Sequence, residues 1–140
     1  MTRIDFYFNV ENKFGYLAEL AGTALSRQRR MFVFVPDAGV AAQTEHALSS
    51  HVPTAFLPHC RVDHALADET PILIDWQGEH LLHDDVLVNL RAEYPPFFSR
   101  FKRLIEIVSK DEVDRDEARG RYRFYRDRGY EIHSHDSAGD

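Results

Sequence analysis

The chain has 140 residues, the size of one domain, and 44% hydrophobic content with 10 Phe supplies a core without disulfides or metal staples, which excludes a disordered protein. Its formal net charge of −6 argues against non-specific nucleic-acid binding by the whole surface, although a local basic patch is compatible with it. The one cysteine, Cys60, excludes an intramolecular disulfide or a multi-cysteine zinc site and fits a reducing, cytoplasmic location.

The opening "RIDFYF" (3–8) is β-rich and aromatic, and Phe14, Leu17, Ala18, Ala21 and Leu25 then recur at helical spacing. "MFVFVP" (31–36) is a continuously apolar run of the kind seen in strands covered on both faces, closed by Pro36. Asp37 is a candidate N-cap for a second helix through "AGVAAQTEHALSS". Strand-length runs follow at "TAFLPHC" (54–60), "PILIDW" (71–76), "DVLVNL" (85–90) and "LIEIVS" (104–109), with a short helical turn predicted at "PPFFSRFKR". From Lys110 to Arg128 the pattern is helical again, and "HSHDSAGD" (133–140) reads as a disordered tail. Alternating β and α units predict right-handed crossovers, and the expected fold is a three-layer α/β sandwich, Rossmann-like, with a mainly parallel sheet and helices on both faces. One domain is expected over 1–132. No apolar run approaches the ~20 residues of a spanning helix, and Asp5 sits where a signal peptide needs an apolar centre.

A doubly wound sheet raises nucleotide binding, whose place is the first strand-to-helix turn. That turn reads "FNVENKFGY", without GxGxxG or GxxxxGK[ST], so the glycines that let backbone N–H groups close on a phosphate are missing. Eight histidines (46, 51, 59, 64, 80, 83, 133 and 135) show no HExxH and no metalloprotease spacing, so no metal or cofactor is expected. His59 and Cys60 are neighbours on a predicted strand and point to opposite faces, which fits a small packed thiol better than a nucleophile pair. The residues offer no catalytic constellation. An enzyme processing nucleotides or phosphoesters on this fold stands as the alternative, motivated by the βαβ opening alone.

"EARGRYRFYRDRGY" (117–130) holds five arginines, three tyrosines and a phenylalanine in an acidic chain. Arg115, Arg119, Tyr122 and Arg126 are spaced i, i+4, i+7, i+11 and so share one helix face. Two readings fit: a solvated face paired at i, i+4, or a receptor for a carboxylate or acidic peptide. The surplus of Arg over acid after Glu117, and aromatics at Tyr122, Phe124, Tyr125 and Tyr130, favour the receptor.

The block "NLR…F…EIV…D…AR.RY..YR..GY", within "DDVLVNLRAEYPPFFSRFKRLIEIVSKDEVDRDEARGRYRFYRDRGYEI", resembles the chi subunit of bacterial DNA polymerase III, as do the opening "DFYF" and the central "FLPH". The resemblance implies a non-enzymatic accessory subunit of the clamp-loader complex. Such a subunit pairs with psi and binds the acidic C-terminal tail of single-stranded-DNA-binding protein. From the net charge and the lack of a spanning run, no direct nucleic-acid or membrane contact is expected. By the same resemblance, Arg119 grips the tail's terminal carboxylate, Val108 and Tyr122 wall its pocket, and Arg115, where relatives can carry lysine, meets its acidic residues. Phe56, with Pro58 beside it, is implied as the psi contact. Ser49 stands where some relatives have Trp.

Overall fold

Four-residue strands that are buried at every side chain, as "MFVF", "ILID" and "VLVN" are, need cover on both faces, and the fold supplies it. The computed structural model describes residues 1–50 and 57–138. Seven strands form a single sheet: β1 (Arg3–Val10), β2 (Met31–Phe34), β3 (His59–Arg61), β4 (Ile72–Asp75), β5 (Val86–Asn89), β6 (Arg103–Ser109) and β7 (Ile132–Asp136). Their order is β3-β4-β2-β5-β6-β1-β7 and each neighbouring pair is parallel. Helices α1 (Lys13–Ser26), α2 (Ala38–Ser50) and α3 (Glu112–Asp127) complete the expected α/β sandwich.

Local chemistry starts each helix where the sequence suggests. Asn12 caps α1 by accepting from the Gly15 N–H, and the Asp37 carboxylate accepts from Val40 N–H at 2.9 Å to open α2. Leu17, Ala18 and Ala21 of α1 and Ala41 and Leu48 of α2 bury against one face of the sheet, on Val33, Ile74, Val88 and Ile105. The other face carries Phe6, Phe32, Phe34, Leu87 and Leu104. It is covered by α3 and by the loops before and after β5, which contribute Leu81, Phe97, Phe98 and Phe101. Gly78, at φ 74, lets one of these loops lie on the ring of Phe97, 2.8 Å from where a Cβ would stand. This second layer is therefore one helix plus aromatic loops, where a Rossmann outline has helices.

Two expectations change. The predicted strand 54–60 is observed as β3 from His59 onward, and residues 51–56 lie outside the described residues. The tail expected to be disordered from His133 instead forms β7, which pairs with β1 from Ile4↔Ile132 to Phe8↔Asp136. Its polar composition hid specific partners. His135 Nε2 lies 2.9 Å from Asp5 Oδ1 and its ring stacks on Tyr7 at 4.5 Å, while Asn9 Nδ2 donates to Asp136 at 3.0 Å. Among the described residues no helix is long and apolar enough to cross a membrane.

The side chain of Asp5 is fully buried and accepts from Arg103 Nε at 2.7 Å and Arg3 Nε at 3.1 Å. Burial works to raise its pKa, but the hydrogen bonds from Arg3, His135 and Arg103 outweigh it and hold the group at about 2. A depressed carboxyl stabilises the fold above its unfolded value and loses that contribution as pH falls toward the folded one. Asp5→Asn is therefore expected to cost about 2 kcal/mol near neutral pH. In urea melts at a series of pH values, the gap between the parent and this variant should shrink between about pH 4 and pH 2.

Candidate functional site

The helix that carries the Arg/Tyr face is fixed first at its start. Asp111 is the N-cap, accepting from Asp114 N–H at 3.1 Å, and Glu112 and Asp114 place acid in the first turn while Arg126 places base in the last. Asp114 in turn accepts from Ser109 N at 2.8 Å, Ser109 Oγ at 2.9 Å and Lys13 Nζ at 3.2 Å. Burial pushes the Asp114 carboxyl up, but the Ser109 and Lys13 contacts outweigh it and hold it below its ordinary value.

A second set of contacts fixes the rotation of α3. Glu106, wholly buried on β6, accepts from Arg121 Nε at 3.0 Å, Tyr125 Oη at 2.7 Å and Asn89 Nδ2 at 3.1 Å. Asn89 is its register partner on β5, and Arg121 also donates to the Ala92 carbonyl at 2.7 Å. Burial drives the Glu106 pKa upward, opposed by the Arg121 charge and these donors. The Tyr125 hydroxyl is likewise raised, by burial and by the neighbouring carboxylate.

The aromatics of α3 and of the turn that follows it divide between core and groove. Tyr125 is fully buried; Phe124 stacks on Tyr94 with centroids 3.6 Å apart; Tyr130 meets Phe98 at 5.1 Å; and Arg128 lies over Phe124 at 3.8 Å. These three rings secure the helix to the loop after β5, which corrects their reading as signs of a binding face. Tyr122 alone of the four lines the open groove, its ring edge-to-face with Phe6 at 5.4 Å.

That groove, about 440 Å³, lies between α3 and the strands at the β1–β7 side of the sheet. Its floor is apolar, from Phe6, Phe8, Val108 and Tyr122, and its rim carries Arg115, Arg119, Arg123 and Arg126. Arg119 is ion-paired with Asp116 and Arg126 with Asp127, all four exposed. Arg115 and Arg123 have no carboxylate within ion-pair distance among the described residues. An apolar socket ringed by guanidinium groups suits a ligand that joins a hydrophobic side chain to carboxylates.

All four residues implied for the tail site, Val108, Arg115, Arg119 and Tyr122, come together in this groove. Phe6, Phe8, Asn9, Ser109, Arg123 and Ser134 line it too and were not singled out. The alternation of β1 puts Phe6 and Phe8 on one face, and Arg123 lies four residues beyond Arg119, so both were available signals; Ser134 was hidden by the misread tail. Pro58 is half-buried at the entry to β3, on the sheet edge opposite β7, while Phe56 falls outside the described residues. Ser49 is exposed on α2 and donates to the Glu45 carbonyl at 2.8 Å. Among the described residues no cluster of three potential metal ligands occurs.

Comparison with known proteins bears on this arrangement. The family described as DNA polymerase III chi subunit, HolC, matches residues 1–133. A curated DNA polymerase III subunit chi from Pseudomonas aeruginosa is 29% identical over 139 residues, covering 96% of both chains. One from Haemophilus influenzae is 30% identical over 114 residues, 81% of this chain and 79% of the relative, and one from Escherichia coli is 24% identical over 119 residues, 84% and 81%.

Glu106→Gln leaves the Arg121 guanidinium buried without its counter-charge, and the expected loss of stability is roughly 3–5 kcal/mol. Tyr125→Phe removes one hydrogen bond to that carboxylate and should cost about 1–2 kcal/mol. Denaturant titration of both variants checks this ranking; equal losses would show that the ion pair is not what holds the helix.

Proposed function

Because this chain belongs to the DNA polymerase III chi subunit family, we propose that it is a non-catalytic, cytoplasmic accessory subunit of the polymerase III clamp-loader complex. In this reading it pairs with the psi subunit on one surface and takes the acidic C-terminal tail of single-stranded-DNA-binding protein on another. The replicase is thereby linked to coated template during DNA replication. The observation that supports the tail site is the groove beside α3, where cationic side chains ring an apolar floor.

The roles follow from the chemistry of such a tail, an acidic peptide ending in a bulky apolar residue with a free carboxylate. The apolar side chain fills the socket between Val108 and Tyr122, and Arg119 exchanges Asp116 for the terminal carboxylate, whose two oxygens match the guanidinium fork. Arg115, one turn toward the helix start, meets acidic residues upstream. Groove and psi surface are then separate, since Pro58 lies at the β3 edge of the sheet, opposite β7.

Isothermal titration with the last ten or so residues of the cognate single-stranded-DNA-binding protein tests the groove. The full peptide should bind and the peptide lacking its final residue should not. Arg119→Ala should weaken binding by about 1.5–3 kcal/mol without lowering the melting temperature, because the side chain is exposed. Binding of neither peptide would remove the tail assignment.

Co-expression with psi tests the second surface independently. Phe56→Ala is expected to abolish co-purification of psi, and Arg119→Ala to leave it intact. Psi retention by the Phe56 variant would move that contact elsewhere.

A further inference from the structure

A second cleft lies at the far end of the molecule from the α3 groove. The groove meets the carboxyl ends of β1 and β6 on the α3 face; this cleft opens at the amino ends of β1, β2, β5 and β6 on the α1 face. It encloses about 730 Å³. The last turn of α1 forms one wall, with Thr23, Ala24 and Arg27, and the strand starts form the other, with Arg3, Lys102 and Arg103.

Five cationic side chains line it: Arg3, Arg27, Arg29, Lys102 and Arg103. Two carboxylates reach them. Asp5 is shared by Arg3 and Arg103, and Asp85 lies 3.5 Å from Arg29. Glu131 acts on Arg3 at longer range. Arg27 and Lys102, both exposed, have no ion-pair partner among the described residues. Arg27 is the C-cap of α1, where the helix dipole alone favours a cation. Lys102, Arg3 and Arg103 stand at strand starts, where no such field calls for positive charge. In a chain of net charge −6 this is a concentrated departure from the average.

The floor distinguishes this cleft from the groove. Met31, Val86 and Ile105 lie at its base but are 1%, 4% and 1% exposed, so they form a closed surface with no socket for a bulky side chain. Tyr7 is held by Arg103 at its hydroxyl and stacked on His135, so its ring is already engaged. What the cleft offers is charge along a channel, which matches a ligand whose anions repeat along its backbone. We infer that the amino-edge cleft holds the phosphodiester backbone of single-stranded nucleic acid, independently of sequence. The net charge of −6 is a total, and its uneven distribution leaves this edge locally cationic.

Fluorescence anisotropy with a labelled oligo-dT of about 15 nucleotides, at about 20 mM salt and upward, tests this on the full chain. The oligonucleotide should bind at low salt. The R27E/K102E variant should lose about tenfold or more in affinity, and its salt dependence should flatten by about 1.4 in slope, the share of two phosphate contacts on a single strand. Both side chains are exposed, so the variant should stay folded with only a small fall in melting temperature from reversing the charge at the C-cap of α1, and its titration with the acidic tail peptide should be unchanged. Failure to bind at the lowest salt, or full binding by R27E/K102E, overturns the inference. So does loss of binding on Arg119→Ala in place of R27E/K102E, which would send the phosphates to the α3 groove. Polyglutamate of equal length binding as tightly, with the same sensitivity to R27E/K102E, would make the cleft a receptor for acidic polypeptide and overturn the assignment to nucleic acid.

Discussion

One buried carboxylate sets the geometry on which the rest depends. Glu106 has no access to water, and a charge in that position is tolerated only when donors surround it. Three donors come from two elements: Asn89 from the neighbouring strand, Arg121 and Tyr125 from α3. Arg121 and Tyr125 are one helical turn apart, so satisfying Glu106 fixes both the height and the rotation of α3 over β6. Once that rotation is set, Arg115, Arg119, Tyr122 and Arg126 have one place to be, along the side of the helix that overlooks β1 and β7. Apolar packing alone would hold α3 near the sheet, but it is less directional than a set of donors aimed at one carboxylate.

This also explains what was legible in the sequence. Strand and helix positions came through because period-2 and period-3.6 patterns are local, and the caps Asp37 and Asp111 sit at the starts that such patterns predict. The Arg115-Arg119-Tyr122-Arg126 stripe was legible for the same reason. What is not local stayed hidden. Glu106 reads as a polar residue interrupting "LIEIV", and nothing near it reveals that Arg121 and Tyr125 will meet it. Strand order sets which side of β1 is open, and it depends on crossovers that leave no trace in composition. The strand "IHSHD" looked like a solvated tail because its stabilisation comes from Asp5 and Tyr7, near the other end of the chain.

The net charge of −6 describes no part of the surface well. Positive side chains gather on α3 and around the amino ends of the strands, the acids that reach them are partly absorbed in ion pairs, and the two regions lie on opposite faces of the sheet. A thin parallel sheet with helices on both sides is well suited to this separation, since each face has its own helix ends and its own strand termini to dress with charge. Opposite faces also let two ligands be held without competing for one surface.

The position of β1 has a consequence for how the protein is made. This first strand lies between β6 and β7, so every backbone partner it will have is synthesised last, with contacts such as Asp5 to Arg103 and Asp5 to His135 separated by 98 and 130 residues. Until β6 has left the ribosome, "RIDFYFNV" is an aromatic strand with both edges unpaired, and its second edge stays open until residue 136 follows, in a topology of high contact order and hence slow closure. The walls of the α3 groove are contributed by that same late assembly, from β1, β6, α3 and β7. A copy that ends before β6 and α3 therefore has no groove, and one that ends before β7 lacks the part of its wall that Ser134 supplies.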